Sequence, residues 1–305
     1  MPPVKYSITL QKINTLTWLR SIKYIPEGFL LLLALLILRM LPLDFASYIM
    51  GKIARFIGPY LKVHKTAYNN LKLAMPELSE DDCTVILNDM WDNLGRVIGE
   101  YPHFARPEMS RRITIKGLEN LEGFLKSGKA AVFVSGHFAN WEMVPLATSL
   151  FGLPTAIIYR QLNNPVAEWI CCKIRKNYTK GMFKKGRMGA VQSIKTLNEG
   201  NALAMLIDQK LNDGSPVQFF GRPAMTATAA ARLAIKFQAP ILAGRIVRGM
   251  GVNFTLIIDS PVDYTPDADA IEITTKLNQM LERWIREYPS QWFWVHKRWG
   301  KVREL

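Results

Sequence analysis

From Arg112 onward, short apolar runs alternate with amphipathic helical patterns. Apolar residues dominate runs such as residues 155–160 and 202–207, and the segments between the runs carry apolar residues at helical spacing. Continuous apolar strands are typical of a parallel sheet that is buried on both faces, with helices covering those faces. We therefore predict an α/β fold over residues 111–305, with a mostly parallel sheet flanked by helices.

The most apolar stretch of the chain, residues 29–38, precedes this region. It is shorter than the roughly 20 apolar residues of a transmembrane helix, and Arg39 and Pro42 interrupt it. Basic residues precede it as in a signal peptide, but no cleavage site of small residues follows. We predict an uncleaved membrane anchor in residues 1–42, which either spans the bilayer with tilt or lies in its interface; a buried core helix is the alternative. Residues 43–110 are predicted to form a helical region that packs on the α/β domain.

A histidine stands at the end of one predicted strand, residues 130–134. The strand runs into Ser-Gly, His137 follows, and Glu142 comes five positions later, where a helical pattern begins. Ligands of open α/β sheets bind outside the carboxyl ends of the strands, which is where this histidine lies. Positions five apart on an ideal helix lie about 140° apart, so Glu142 reaches His137 only if the histidine is on a loop and Asn140 caps the helix.

We predict that the Glu142 carboxylate accepts a hydrogen bond from one ring nitrogen of His137 and that the other nitrogen acts as a general base. The alternative is a buried histidine whose hydrogen bonds a neighbouring carboxylate satisfies.

Residues 135–142, Ser-Gly-His-Phe-Ala-Asn-Trp-Glu, contain a His-X4-Glu box. This box resembles that of the bacterial lipid A late acyltransferases, which belong to the wider lysophospholipid-type acyltransferases. The resemblance covers most of the chain from about residue 110 and continues through residues 159–160, 206–210, 217–223 and 291–299. The mycobacterial phosphatidylinositol-mannoside acyltransferases are similar as well, so the glycolipid acceptor stays open.

The resemblance implies transfer of a fatty acyl group from an acyl carrier protein thioester to a hydroxyl of a lipid A precursor, a phosphorylated and acylated glucosamine disaccharide. It implies an enzyme of the cell inner membrane, with its catalytic domain on the cytoplasmic face and with neither a metal nor an organic cofactor. His137 would deprotonate the acceptor hydroxyl, and Glu142 would orient His137 and stabilise the imidazolium. The substrate-binding residues that the resemblance implies are Arg160, Asp208, Lys210 and Arg222.

Arg160 and Asp208 each follow a predicted strand and so belong to the same edge of the sheet. Arg160 would donate to the tetrahedral oxyanion or to an acceptor phosphate; a surface salt bridge is the alternative. Asp208 would orient Arg160 or Lys210, and a loop-capping aspartate is the alternative. Arg222 would meet a phosphate near the N-terminus of the helix predicted at residues 226–237.

The formal net charge of +14 points to anionic partners. A phosphorylated acceptor, an anionic membrane leaflet and an acidic carrier protein would all be drawn to one positive face.

A nucleic-acid-binding protein is also basic, but no nucleic-acid-binding module occurs here and the apolar N-terminal stretch would stay unexplained. A hydrolase needs its own nucleophile, and the chain has no G-x-S-x-G elbow; a membrane scaffold without activity is the third alternative. The three cysteines have neither zinc-site spacing nor the pattern of a disulfide framework.

The C-terminal tail combines tryptophans with cations. Trp292 and Trp299 suit either a membrane interface or packing on the sheet, and we predict packing for Trp294. Because no carboxylate lies near His296 in sequence, we predict a structural role for this histidine.

Overall fold

The computed structural model of the protein describes residues 24–104, 106–127, 129–265 and 267–300. Helices α1 to α11 are, in chain order, Ile25–Met40, Leu43–Ile57, Lys62–Ala74, Glu80–Glu100, Pro107–Arg111, Glu122–Ser127, Val144–Leu150, Pro165–Arg175, Arg187–Asn198, Ala229–Phe237 and Ala270–Glu287. Strands β1 to β9 are Ile113–Lys116, Ala131–Ser135, Thr155–Tyr159, Gly181–Lys184, Ala202–Leu206, Lys210–Phe219, Arg222–Thr226, Ile241–Arg248 and Phe254–Ile258. Short 3-10 helices lie at Gly58–Tyr60, Tyr101–His103, Leu118–Leu121, Trp141–Met143 and Pro289–Gln291.

Seven strands form one sheet in the order β1-β9-β8-β2-β5-β3-β4, and β6 and β7 form a separate antiparallel hairpin. All neighbouring pairs of the large sheet are parallel except β8 and β9, which form an antiparallel hairpin. The prediction of an α/β fold with a mostly parallel sheet flanked by helices is confirmed.

Strand β2 lies in the middle of the sheet and is buried along its whole length. Val132 and Val134 belong to the apolar core on one face of the sheet, and Ala131 and Phe133 belong to the core on the other face. Successive side chains of a strand point to opposite faces, so a strand covered on both sides must be apolar throughout. This is why the run before the histidine has no polar alternation.

Strands β2, β5, β3 and β4 run in the same direction and are neighbours in that order. Their C-terminal ends therefore meet at one edge, which we call the carboxyl edge. The first residues beyond these ends include His137 after β2, Asp208 after β5, Arg160 after β3 and Lys185 after β4. The expectation that His137, Asp208 and Arg160 belong to one edge is thus met by the topology.

Two parts of the sheet region differ from the sequence expectation. The helix predicted from Asn140 begins as the 3-10 turn Trp141–Met143, and α7 starts only at Val144. The helix predicted from residue 226 starts at Ala229, because the residues before it pair with β6 in the hairpin. Strand β4 and the β6–β7 hairpin were not predicted.

Helix α1 carries the most apolar stretch of the chain. Among the described residues, no helix combines the length and the hydropathy needed to cross a membrane. The predicted spanning form of the anchor in residues 1–42 therefore finds no support in the part of the chain that is described, and residues 1–23 lie outside it. The division into residues 1–42, 43–110 and 111–305 stays a prediction.

Helix α1 packs on α8 through Gly28, where an added Cβ would lie 2.7 Å from the Val166 side chain. The carbonyl of Tyr24, just before α1, accepts a hydrogen bond from Asn164 Nδ2 at 3.4 Å. Asn164 is also the N-cap of α8. Because Asn164 lies in the short connection after β3, the beginning of α1 is close to the carboxyl edge.

Candidate active site

His137 is held by Asp208 at the carboxyl edge. The imidazole Nδ1 lies 2.7 Å from Asp208 Oδ1, and the backbone N–H of His137 donates to Oδ2 of the same carboxylate at 2.8 Å. The two residues are 71 positions apart in sequence but follow adjacent strands. Because a carboxylate accepts, Nδ1 carries the proton, and the lone pair of the imidazole is on Nε2.

The Asp208 carboxylate is fully buried and has a third donor, Trp292 Nε1, at 2.8 Å. Burial by itself would raise the pKa of Asp208, but the charge and hydrogen bonds of His137 hold that pKa well below its usual range. The carboxyl group is therefore ionised at neutral pH. It can fix the tautomer of His137 and stabilise an imidazolium when the ring accepts a proton.

His296 contacts the backbone of Asp208. Its Nε2–H donates to the backbone carbonyl of Asp208 at 3.2 Å, and its ring centroid lies 6.4 Å from that of His137. Burial lowers the pKa of His296 to about 4, so the ring is neutral at pH 7. Asn70 in turn donates to the carbonyl of His296 at 2.7 Å and fixes the tail. These contacts support the predicted structural role of His296.

Two partly exposed aromatic side chains, Trp141 and Phe293, pack beside the imidazole. The ring centroids of Trp141 and Phe293 lie 5.1 and 5.9 Å from that of His137. Gln209 Nε2 lies 3.2 Å from His137 Nε2. Ser135, the hydroxyl nearest to His137 in sequence, is only 1% exposed, so it offers no accessible nucleophile. The arrangement provides a general base that can act on a hydroxyl brought by a substrate.

The loop after β2 is fixed by contacts from distant elements. Ala139 has a positive φ of 45°, its N–H donates to the carbonyl of Gln291, and its carbonyl accepts from Asn93 Nδ2 on α4. Asn140 donates through Nδ2 to the buried carboxylate of Glu100 at 2.7 Å. The predicted N-cap role of Asn140 is wrong, because its Oδ1, the atom that would accept from the first turn of a helix, accepts no hydrogen bond from a described residue.

Glu142 does not reach His137, so the predicted pairing of these two residues is wrong. Its carboxylate is bound in a forked ion pair by Arg175 at the end of α8, with Nε at 2.8 Å from Oε2 and Nη2 on Oε1. Both side chains are largely buried. The turn at Ala139 brings Glu142 to α8, whereas Asp208 on the neighbouring strand occupies the position beside Nδ1.

The remaining predicted site residues, Arg160, Lys210 and Arg222, lie in three separate places. Arg160 is exposed and makes no hydrogen bond or ion pair with another described residue. It follows β3, two strands from β2, which is about 10 Å at the usual strand spacing. Lys210 begins β6, and its Nζ lies against Gly300 in the C-terminal tail. Asp208 orients His137, not Arg160 or Lys210 as predicted.

Arg222 lies at the turn of the β6–β7 hairpin, opposite Phe219. Thr226, at the other end of β7, pairs with Lys210, so Arg222 is about 14 Å further along the strand. The structure does not bring Arg222 to the N-terminus of α10. The Thr226 hydroxyl accepts from the buried Arg298 at 2.8 Å. Thr228 stands at the N-cap position of α10 without a capping hydrogen bond.

Sequence reasoning missed the contributions of Trp292, Gln209 and Arg175. Trp292 and Gln209 lie within the stretches that carry the family resemblance, but nothing in the sequence shows that both reach the His137 site. Trp294 is fully buried, which confirms its predicted packing role. Arg175 ends an amphipathic helix, where a cation is ordinarily explained by the helix dipole, so no signal marked it as the partner of Glu142.

Residues 15–301 match the sequence model of a family described as bacterial lipid A biosynthesis acyltransferase. The chain is 26% identical over 241 residues to a lipid A biosynthesis acyltransferase of Haemophilus influenzae, with 76% of each chain covered. It is 26% identical over 269 residues to lipid A biosynthesis acyltransferase 2 of Shigella flexneri, with 85% of this chain and 84% of the relative covered. Its identity to a lipid A biosynthesis myristoyltransferase of Escherichia coli is 24% over 266 residues, with 84% and 81% covered. The range matched by the family includes all residues around His137 described above.

Proposed function

Because the chain belongs to the bacterial lipid A biosynthesis acyltransferases and is therefore an acyltransferase, we propose that it transfers a fatty acyl group from an acyl carrier protein thioester to a hydroxyl of a lipid A precursor. The observation that carries the mechanism is the contact of His137 Nδ1 with the buried Asp208 carboxylate at 2.7 Å. It leaves Nε2 as the basic atom at the carboxyl edge of the sheet, where ligands of α/β folds bind.

In the proposed reaction, His137 Nε2 takes the proton of the acceptor hydroxyl as its oxygen attacks the thioester carbonyl carbon. The carbonyl π electrons move onto oxygen, and the ionised Asp208 stabilises the imidazolium. Collapse of the tetrahedral intermediate re-forms the carbonyl and breaks the carbon–sulfur bond. The leaving sulfur takes the proton from His137 Nε2, giving an ester and a free thiol. Since the acceptor brings its own oxygen nucleophile, no serine or cysteine of the protein is required.

The acidic carrier is proposed to dock on cations at the far end of the carboxyl edge. Lys184, Lys185 and Arg187 are exposed and form no salt bridge with other described residues. Lys184 ends β4, and Lys185 and Arg187 follow it. Strand β4 is three strands from β2, or about 14 Å at the usual strand spacing. The phosphopantetheine arm of a carrier protein has about thirteen bonds between phosphorus and sulfur, so it spans roughly 16 Å at the extended length of a chain. A carrier bound at these cations can therefore present its thioester to His137.

Reversing two of these charges should weaken the use of the carrier-bound donor. We expect Lys184→Glu/Lys185→Glu to raise KM for the carrier thioester about tenfold and to flatten its dependence on salt, as for charges at the rim of an interface. Rates with a short acyl-pantetheine thioester should stay unchanged. Steady-state rates at several ionic strengths measure both effects.

The matched control for this charge reversal is Arg232→Glu/Lys236→Glu, on the exposed face of α10. It changes the net charge equally, but it lies away from β4, and α10 leads to the opposite edge of the sheet. If KM rises equally in the control, the effect comes from the net charge of the protein, and docking at Lys184 and Lys185 is contradicted.

Membrane association is proposed to rest on the outer faces of α1 and α2. These faces expose large apolar side chains, among them Phe29, Leu30, Leu33, Leu36, Ile37, Met40, Phe45 and Phe56. Many exposed large apolar side chains on two consecutive helices favour an interaction site, and a lipid surface suits an enzyme whose proposed acceptor is a membrane lipid. Since Tyr24, just before α1, contacts Asn164 near the carboxyl edge, a bilayer at this surface would lie beside the opening to His137.

The full-length protein with a carrier thioester and a lipid A precursor in anionic vesicles tests the proposed function. We expect a product heavier by one acyl group in mass spectrometry, an equal amount of released thiol, and flotation of the protein with the vesicles. Absence of transfer to the lipid A precursor, with a donor that is accepted by a known enzyme of this family, would overturn the function.

A further inference from the structure

The side chain of Gln209 lies directly on the reactive nitrogen of the site. Its Nε2 is 3.2 Å from His137 Nε2. The backbone just before it is held firmly, because the Asp208 side chain accepts from His137 and Trp292 and the Asp208 carbonyl accepts from His296. Gln209 itself is exposed. It therefore combines a fixed Cα with a side chain that is free to turn.

The direction of this hydrogen bond follows from the tautomer of His137. The proton is on Nδ1, facing Asp208, so Nε2 offers only a lone pair, and the carboxamide of Gln209 must donate to it through N–H. A protein donor thus occupies the position where the acceptor hydroxyl has to bind. The other N–H of the carboxamide makes no further hydrogen bond to a described residue.

We propose that Gln209 is a catalytic residue that donates to the oxyanion of the acyl-transfer intermediate, a role that rests on the proposed function. When the acceptor hydroxyl replaces the carboxamide at His137 Nε2, the attacked carbonyl lies one bond beyond the hydroxyl oxygen. A small rotation of the Gln209 side chain then brings its N–H groups to the carbonyl oxygen, at the 2.7–3.1 Å that an oxyanion donor requires. The exposed Arg160, expected from the sequence for this task, follows β3, whose backbone is about 10 Å from that of β2 at the usual strand spacing.

The electrons and protons balance without any further group. As the acceptor oxygen bonds to the thioester carbon, the π electrons of that carbonyl move onto its oxygen, and Gln209 N–H hydrogen-bonds to the resulting negative charge without giving up its proton. When the carbonyl re-forms, the carbon–sulfur bond breaks and the sulfur takes the proton held by His137 Nε2. Gln209 then returns to the lone pair of Nε2, which makes it both the resting partner of the base and the donor in the intermediate.

Two substitutions at position 209 test this role. Gln209→Ala should lower kcat by about 10²- to 10³-fold, the usual effect of losing one oxyanion donor, while KM for both substrates changes less than about threefold, because the interaction forms only in the intermediate. Gln209→Glu keeps the size of the side chain but replaces the donor by a carboxylate, so kcat should fall at least as far. Gln192→Ala, an exposed glutamine on α9, is the matched control and should behave as wild type.

The outcomes separate this proposal from the proposed function. If wild type transfers and Gln209→Ala is as fast as wild type, or faster because the base is no longer covered, Gln209 is only a resting partner and the proposal is overturned. A retained kcat in Gln209→Glu overturns it as well, since a carboxylate cannot donate. If wild type transfers no acyl group, the proposed function is overturned, and with it the role of Gln209 that rests on it. An unchanged unfolding temperature in each variant shows that the kinetic effect is not a loss of folded protein.

Discussion

Replacing Asp208 by asparagine is expected to lower kcat for acyl transfer by about 10³- to 10⁴-fold, with little change in KM for the acceptor. The carboxylate holds the proton of His137 on Nδ1, whereas an asparagine amide can donate to Nδ1 and move the proton to Nε2. A histidine protonated on Nε2 cannot accept from the substrate, and loss of the correct tautomer costs about 10⁴ in rate where it has been measured in a serine protease. Product formation under saturating donor and acceptor measures the effect.

The control for this prediction is a double-mutant comparison. His137→Ala removes the base, and general bases contribute about 10²–10⁴ in rate. Because Asp208 acts only through His137, the double variant His137→Ala/Asp208→Asn should be no slower than His137→Ala alone. Losses that multiply in the double variant would show that Asp208 acts independently of the histidine. Tryptophan fluorescence reports whether the packing of Trp292, which donates to Asp208, is intact in each variant.

The activity of Glu142→Gln, compared with that of Asp208→Asn, distinguishes the two candidate partners of His137. If this change removed activity from folded protein while Asp208→Asn did not, the original expectation of a His137–Glu142 pair would be restored and the assignment of Asp208 would be contradicted. The geometry favours Asp208, since its carboxylate meets both the ring and the backbone N–H of His137.

The α/β architecture could be predicted because it depends on local patterns. A buried parallel strand is apolar along most of its length, and the apolar runs of β2, β3 and β5 are recognisable in the sequence for this reason. Strand β4 has only four residues and carries no such run. The β6–β7 hairpin was missed because β6 contains Gly214 and Pro216 and its register shifts between Lys210 and Ser215, so its alternation is broken.

The position of the base could be predicted, but its partner could not. A histidine directly after a buried strand belongs at the carboxyl edge whatever the order of the strands. The partner depends on which strand lies beside β2, and that is β5, which follows about 70 residues later. Asp208 was recognised as a residue of the same edge, yet strand order is a property of the whole sheet. Nearness in sequence therefore favoured Glu142.

The loop that carries His137 depends on elements from across the chain. Asn93 and Glu100 on α4 hold Ala139 and Asn140, and Arg248 at the end of β8 binds both Asn93 and Glu100. The positive φ of Ala139 and the Asn140 side chain, which does not cap the turn that follows it, would each raise the free energy of this loop in isolation. These distant partners stabilise them, which is why the turn could not be predicted from residues 135–142.

The second large expected effect concerns the ion pair that replaces the predicted His137–Glu142 contact. Arg175→Met should lower the free energy of unfolding by about 3–5 kcal/mol, because removing one partner of a buried pair leaves the other charge buried and unpaired. The Glu142 side chain is only 12% exposed. Tyr101 and Tyr178 surround the pair, and burial, with the added effect of the Glu142 carboxylate, raises the pKa of both phenols. Chemical unfolding followed by circular dichroism measures the change.

The double variant Glu142→Gln/Arg175→Met makes this prediction specific. Removing both charges takes away the ion pair and also the cost of burying an unpaired carboxylate, so the double variant should recover most of the stability lost in Arg175→Met. The pair joins the 3-10 turn after His137 to the end of α8. Any activity that Arg175→Met loses through this turn should therefore also recover in the double variant. A double variant as unstable as the sum of the single variants would mean that the two side chains contribute independently. Recovery of stability with kcat still lost would instead place the Glu142 carboxylate in the chemistry, against the geometry in which the carboxylate that contacts the imidazole is that of Asp208.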